Sequence, residues 1–273
     1  MPKWILEPGD ALNNEAGLPW AAKIFTLGRF EIVKDDQPLR FSGKIQRRPL
    51  ALLKALIAFG GQHVSEEKLI DALWPQADAA AARFSLTSAI YRLRRLLGHD
   101  EVIARGEGRV SVSSEHAWVD LWALEALLDR IEENPLDKNS LSEQSLLWVK
   151  RAADLYRGPF LSAEQDCRWA MPVAERLRRR LLRQVVRAGR RCEEVEEWEG
   201  AIGYYEKGFV IDPCAEDVCR CLMNIYYRLG RRAEVVAVYD ECRHALLGRL
   251  GIAPSTETEA LLKQLTATEF RPA

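Results

Sequence analysis

Asp78-Ala-Ala-Ala-Ala-Arg83-Phe-Ser-Leu86-Thr-Ser-Ala-Ile90-Tyr-Arg-Leu-Arg-Arg-Leu-Leu-Gly98 is the stretch on which the fold turns. Asp78 has the short acceptor side chain of a helix N-cap. The alanines carry the highest helix propensity, and Gly98 suits the left-handed residue that closes a helix. Leu86, Ile90, Leu93 and Leu97 recur at 4-3-4 spacing, the stripe of one buried helix face. At 100° per residue, with Leu86 at zero, Ser88, Tyr91, Arg92 and Arg95 lie between about 140° and 240°, turned away from that stripe. Thr87 and Arg94 flank this outer face, and Arg83 stands nearer the helix start. Arginine on a helix is ordinarily a solvated group. Three of the four residues from Arg92 to Arg95 are Arg, however, and that density favours contact with a polyanion.

Two shorter helices precede this one. Pro49 sits where a helix begins, Leu50, Leu53, Ala55, Leu56, Ile57 and Phe59 follow, and Gly60-Gly61 ends the pattern. Ser65-Glu-Glu-Lys68 carries the N-cap signature of the next, with Leu69, Ile70, Leu73 and Trp74 on its apolar face until Pro75 stops it. Ahead of both, Ile24 to Val33 alternates as a strand, Asp35-Asp36 turns, and Leu39-Arg-Phe41 returns as the hairpin partner. Behind the long helix, Val102 to Val112 places Arg105-Gly-Glu-Gly-Arg109 between two β-prone runs, a glycine-tipped hairpin. This glycine-rich run is no phosphate loop, because it lacks the Gly-Lys-Ser/Thr ending and leads into no helix.

The chain has 273 residues, 48% of them hydrophobic and 29% charged, room for two domains. No apolar run approaches the roughly 18 residues of a membrane span. Residues 1–19 lack an apolar core and a small-residue cleavage site, so a cytoplasmic protein with no membrane contact is expected. The net charge of -1 hides a division: residues 20–118 hold 15 Lys and Arg against 11 Asp and Glu, while the remainder is net acidic. The sign permits the first domain to approach nucleic acid. Six cysteines (Cys167, Cys192, Cys214, Cys219, Cys221, Cys242) lie in the C-terminal half with no Cys-x-x-Cys pair, and read as reduced, buried small residues. His63, His99, His116 and His244 are scattered without ligand spacing. With no nucleophile signature and no cofactor loop, neither catalysis, a metal nor a cofactor is expected.

From Asp120 onward the segments are helical: Asp120 to Glu133, Ser142 to Tyr156, Trp169 to Cys192, Trp198 to Ile211, Ala215 to Arg228, Arg232 to Leu250 and Ser255 to Leu265. Turn signals separate them at Asn134-Pro135, Gly158-Pro159, Asp212-Pro213, Gly230 and Ala253-Pro254. A period of 34 residues appears when Leu182 and Glu216 are first positions, which aligns Tyr205 with Tyr239. The first unit has tetratricopeptide preferences at Gly189, Ala201, Tyr205, Gly208 and Pro213. The second keeps Gly230 and Tyr239 but has Val235 and Cys242 where small residues are preferred. Arg176, Arg178, Arg179, Arg180, Arg183, Arg187, Arg190 and Arg191 cover most sides of one helix and are followed by Glu193, Glu194, Glu196 and Glu197. That pattern reads as a salt-bridged or partner-facing helix ahead of a second nucleic-acid surface.

In this order the segments resemble the SARP-like transcriptional regulators, an OmpR-like winged helix followed by a bacterial transcriptional activator domain with tetratricopeptide-like repeats. The resemblance rests first on Leu73-Trp74-Pro75, Arg83 and the helix from Leu86 to Gly98. Behind them it rests on Leu155-Tyr-Arg-Gly-Pro-Phe-Leu161, Ala201 to Pro213, Leu229-Gly-Arg-Arg-Ala-Glu234 and Arg249-Leu-Gly-Ile-Ala-Pro-Ser-Thr-Glu-Thr258. It implies a mainly α chain with a flexible tail or linker over 1–19, a winged helix-turn-helix (α+β) over 20–118 and an all-α activator domain over 119–273. It implies a DNA-binding transcriptional regulator, an activator, that reads double-stranded promoter DNA with the helix 78–97 in the major groove and the wing 102–112 on the minor groove.

Alignment on Arg92-Leu-Arg94 brings the family's base-contacting Arg onto Arg92, with Ser88 one turn earlier. The implied DNA contacts are Arg83, Thr87, Ser88, Tyr91, Arg92, Arg94, Arg95, Arg105 and Arg109. Ser88 and Tyr91 stand where larger polar or basic groups are common, so no operator sequence is carried over. RNA polymerase, a small-molecule or protein effector at the helical domain, and a second copy of the chain are the further implied partners. The competing reading is a tetratricopeptide scaffold whose winged helix contacts protein; it predicts DNA binding with little salt dependence and no preferred sequence.

Overall fold

The computed structural model describes residues 20–35, 37–40, 47–133, 143–162 and 168–267. The tail over 1–19, Phe41, the Asn134-Pro135 turn and Cys167 lie outside the described residues. Contacts divide the rest into two units. One runs to Leu127 and includes Leu155–Leu177; the other takes Leu128–Asp154 and the chain from Arg178 onward.

In the first unit, strands β1 (Ala22–Phe25), β2 (Glu31–Lys34) and β3 (Gln37–Pro38) form an antiparallel meander. The single strand expected over 24–33 is therefore two strands. The chain reverses at Gly28, whose φ of +79° is open to glycine, and a Cβ there would stand 2.7 Å from the Arg157 carbonyl oxygen. The return strand forms at 37–38, with Leu39 and Arg40 beyond its end, although Leu39 N still donates to Ile32 O at 2.8 Å; the expected Phe41 lies outside the described residues.

Helices α1 (Arg47–Ala58), α2 (Glu66–Leu73) and α3 (Ala79–Leu97) pack on one another. Leu52, Leu53, Leu56, Ile57, Leu69, Leu86, Leu93 and Leu97 are withdrawn from solvent between them. Each such side chain contributes roughly 1.5–3 kcal/mol of transfer free energy, so this stripe outweighs any single cap. Asp78 caps α3 as expected, its Oδ1 accepting from Ala81 N at 2.9 Å, and Gly98 closes the helix with φ +79°.

The expected Ser65 cap is not made. Ser65 belongs to β4 (Val64–Ser65), its hydroxyl forms no capping bond, and the first amide of α2, Glu66 N, donates to Gly108 O at 2.9 Å. Gly108 sits at the tip of the hairpin formed by β5 (Ile103–Gly106) and β6 (Arg109–Val112), and β4, β6 and β5 make a three-stranded sheet. Glu107 and Gly108 both have positive φ, the two-residue turn that matches strand twist. A backbone carbonyl from the wing thus satisfies the first free amide of α2, one residue ahead of the amides that a serine cap would have taken.

A short strand that periodicity did not disclose, β7 (Ala117–Val119), runs parallel to β1 and leads into α4 (Asp120–Glu133). Asp120 is buried. It accepts Thr26 N at 2.8 Å, Thr26 Oγ1 at 2.6 Å, Leu27 N at 3.0 Å and Leu121 N at 2.8 Å. Burial pushes its carboxyl upward against the downward pull of these donors. The Gly-Pro-Phe-Leu block joins the same corner: Gly28 N donates to Pro159 O at 3.1 Å, Leu161 N donates to Thr26 O at 2.9 Å, and Leu27 pairs with Phe160.

In the second unit, α5 (Glu143–Leu155) and α6 (Met171–Glu194, from Arg178) are followed by α7 (Trp198–Ile211), α8 (Glu216–Arg228), α9 (Arg232–Leu250) and α10 (Thr256–Ala267). Their core holds Ala201, Tyr205, Val218, Cys219, Leu222, Met223, Ile225, Cys242 and Leu246. Gly189 is needed for closeness and not for φ: a Cβ there would lie 2.5 Å from the Tyr205 ring. At the matching places of the second repeat, Val235 and Cys242 are buried and fill the space. Cys192 and Cys219 are buried thiols too, while Cys214 and Cys221 are half-buried. Among the described residues no cluster of His, Cys, Asp or Glu is placed to hold a metal, and no helix is long and apolar enough to cross a membrane.

Candidate nucleic-acid interface

The outer face of α3 is built by what the inner face buries. Leu86, Ile90, Leu93 and Leu97 are fixed in the core, so helical geometry turns Arg83, Thr87, Tyr91, Arg92 and Arg95 to solvent, with Ser88 half-buried. Tyr91 is 66% exposed, a large ring left to solvent. Among the described residues the side chains of Arg92, Arg95 and the wing's Arg109 make no hydrogen bond or ion pair. Their guanidiniums stand ready for acceptors from outside.

Three of the other expected contact residues, Thr87, Arg94 and Arg105, are tied within the protein. Arg105 of β5 grips Glu66 of α2 with two nitrogens, at 2.7 and 3.0 Å, and donates from Nη1 to Thr87 Oγ1 at 3.0 Å. Thr87 in turn donates to Arg83 O at 3.0 Å, so its one hydroxyl hydrogen is used within the protein. Arg94 sends Nε and Nη2 to Ile103 O, at 2.9 and 2.7 Å. Thr87, Arg94 and Arg105 therefore fix the wing against α2 and α3. The bond from Arg105 holds the Glu66 carboxyl below its ordinary range, with the charge of Arg83 adding to the effect. The result is a cationic helix face with a cationic hairpin locked at its flank.

One exposed residue of the face escaped the sequence reading. Phe84 is 77% exposed and lies at about 160° on the same wheel, in line with Ser88, Tyr91 and Arg95. With Arg48, Trp74, Ser88 and Arg92 it lines a groove of about 280 Å³ at the start of α3. Arg48 donates to Leu73 O at 3.0 Å and so steadies the end of α2 beside it. The wheel that selected Ser88 and Tyr91 also contained Phe84, but a basic-residue criterion passed over an aromatic one.

Known families match both halves of the chain. The family described as "Transcriptional regulatory protein, C terminal" matches residues 42–108. The family described as "Bacterial transcriptional activator domain" matches residues 119–266, more than half of the chain. The chain belongs to the bacterial transcriptional activator domain family. Both descriptions are of transcriptional regulators: the C-terminal part of a transcriptional regulatory protein, followed along the chain by an activator domain.

Among curated proteins the chain is similar to Regulatory protein AfsR from Streptomyces griseus, 26% identical over 82% of this chain, and to Regulatory protein AfsR from Streptomyces coelicolor, 27% identical over 94%. The chain spans about a quarter of the length of these relatives, 22% and 25% of them. The solved structure of Mycobacterium tuberculosis EmbR in complex with a low-affinity phosphopeptide shares the fold. Its TM-score is 0.60 at 22% identity, over 90% of this chain and 65% of that one.

Proposed function

We propose that α3 enters the major groove of double-stranded promoter DNA while the β5–β6 wing lies against the adjacent minor groove. Arg92 and Ser88 face base edges, and Arg83, Tyr91, Arg95 and Arg109 face the backbone. Thr87, Arg94 and Arg105 hold the wing at its angle to the helix and lie within reach of the same backbone. The observation that carries this reading is the exposed α3 face, whose Arg92 and Arg95 have no internal partner among the described residues. An arginine fork opposite guanine, one turn from a small hydroxyl, is a direct-readout arrangement.

Residues 20–118 then serve as the reading module and 119–273 as the module that receives a protein or small-molecule signal and engages RNA polymerase. The regulator works in the cytoplasm, without catalysis, as a pair of copies on repeated half-sites. Selection of duplexes from a random pool, followed by affinity at two salt concentrations, tests the proposal. An enriched motif with a steep salt slope is expected; no enrichment and salt-insensitive binding would transfer the winged helix to protein recognition.

A further inference from the structure

We propose that an arginine-lined groove in the second unit is a docking site for an extended acidic protein segment, which rests on the partner-receiving role given above to the helical module. The groove encloses about 820 Å³ and is lined by α6, the 212–217 connection, the first turns of α8 and the start of α10, all within one unit. Its α6 wall presents Arg179, Arg183, Arg187 and Arg190, which fall within about 80° of one another on a helical wheel.

The facing wall holds Asp212, Glu216, Asp217 and Glu257, enough to cancel those charges if the acids were free. Three of them already have partners along the groove. Asp212 is ion-paired with Arg178. Glu216 accepts Ser255 N at 2.8 Å and the hydroxyls of Ser255 and Thr258 at 2.6 Å each, which hold its carboxyl below the usual range. Glu257 lies 3.6 Å from Arg220. On the α6 wall the balance is reversed. Arg187 and Arg190 are exposed and make no hydrogen bond or ion pair among the described residues, and Arg183, 61% exposed, only approaches Glu132 at 4.0 Å. The groove is left with an excess of unpaired guanidinium.

The spacing says what fits. Along a helix, Arg183 and Arg187 are separated by about 6 Å of rise and Arg187 and Arg190 by about 4.5 Å. Side chains on one face of an extended chain recur every 6.6 Å or so, so carboxylates at alternate residues meet successive arginines in charge-assisted, fork-like pairs. Duplex DNA is the poorer fit. Its phosphates lie on a convex cylinder, whereas these arginines line a groove that they share with Asp217 and Glu257.

The test uses the full chain and a fluorescein-labelled peptide of about 12 residues alternating Glu and Ser, read by anisotropy at roughly 50 mM salt. Saturable binding is expected, weakened at least about tenfold by combined Arg183→Glu, Arg187→Glu and Arg190→Glu and unchanged by Lys263→Glu, which lies outside the groove. The same peptide with Lys in place of Glu should not bind, and affinity for a selected duplex should stay the same in the triple variant. No binding by the wild type, or equal binding by the triple variant, overturns the proposal. So does a larger loss for duplex than for peptide, which would make the groove a nucleic-acid surface. If circular dichroism shows the triple reversal unfolded, Gln at the three positions carries the same comparison. Failure of the DNA reading would show separately, as a random pool without enrichment, and would leave the peptide result standing.

Discussion

Arg92 and Arg94 are two residues apart on α3, yet their substitution by alanine should damage different properties. Arg92 has no partner among the described residues, so Arg92→Ala should alter stability by no more than about 0.5 kcal/mol, as for other surface substitutions. On a selected duplex it should lose about 1–3 kcal/mol, roughly 5- to 150-fold in Kd, and relax specificity at one base pair.

Arg94 donates two charge-assisted bonds to a single carbonyl, Ile103 O, at the root of the wing. Bonds to charged groups contribute about 1.5–3 kcal/mol, and because this site is only half-buried the lower figure applies: Arg94→Ala should cost about 1.5 kcal/mol of stability. Urea unfolding and duplex anisotropy on the same preparations read the two quantities. Arg92→Ala with unchanged affinity would refute the base contact. Arg94→Ala with wild-type stability would refute the division between reading and positioning.

Three further outcomes follow from the same geometry. Asp120→Ala strands the buried donors Thr26 N, Thr26 Oγ1 and Leu27 N and should destabilise by about 3 kcal/mol or more in urea unfolding, because each orphaned donor costs about 1–3 kcal/mol. The Glu66 carboxyl is lowered by Arg105, so its contribution is complete above its ordinary value of 4.5 and is lost as pH falls through the depressed folded value. Urea midpoints taken from neutral pH downward should therefore decline more steeply for wild type than for Glu66→Gln, and equal slopes would count against the link. Gly189→Ala forces a methyl toward the Tyr205 ring and should cost about 1–3 kcal/mol by overpacking, seen as a lowered thermal midpoint with duplex affinity per folded molecule unchanged.

What could be read from the sequence was whatever a local period or a cap encodes. The α3 stripe, its Asp78 cap, its Gly98 end, the hairpin tip and the helices from Asp120 to Leu265 all announce themselves within a few residues. Features set by distant partners did not. The break of the 24–33 run depends on a backbone that arrives at Gly28 from residues 157–158, and β7 is three residues that become a strand only beside β1. Ser65 looked like a cap because its neighbours fit the pattern, but it pairs with Arg109 in the β4–β6 ladder and its hydroxyl makes no capping bond, while Gly108 O takes the first amide of α2. At the candidate interface, the wheel separated outward from inward residues correctly, yet it had no means of showing that Thr87 and Arg94 face the wing or that Glu66 anchors Arg105.

The contact between Gly28 and Gly158 bears on how the chain is made. Their backbones touch, and the bonds of Gly28 to Pro159 and of Leu161 to Thr26 finish the corner of the first sheet. A ribosome delivers residue 28 long before residue 158, so during synthesis this corner must wait, its strand ends open, while nearly half of the protein is added. The loop to be closed is long, and the helices between are free to form first. A nascent regulator of this design should therefore acquire its finished N-terminal sheet late, close to the moment when its helical segments are also emerging.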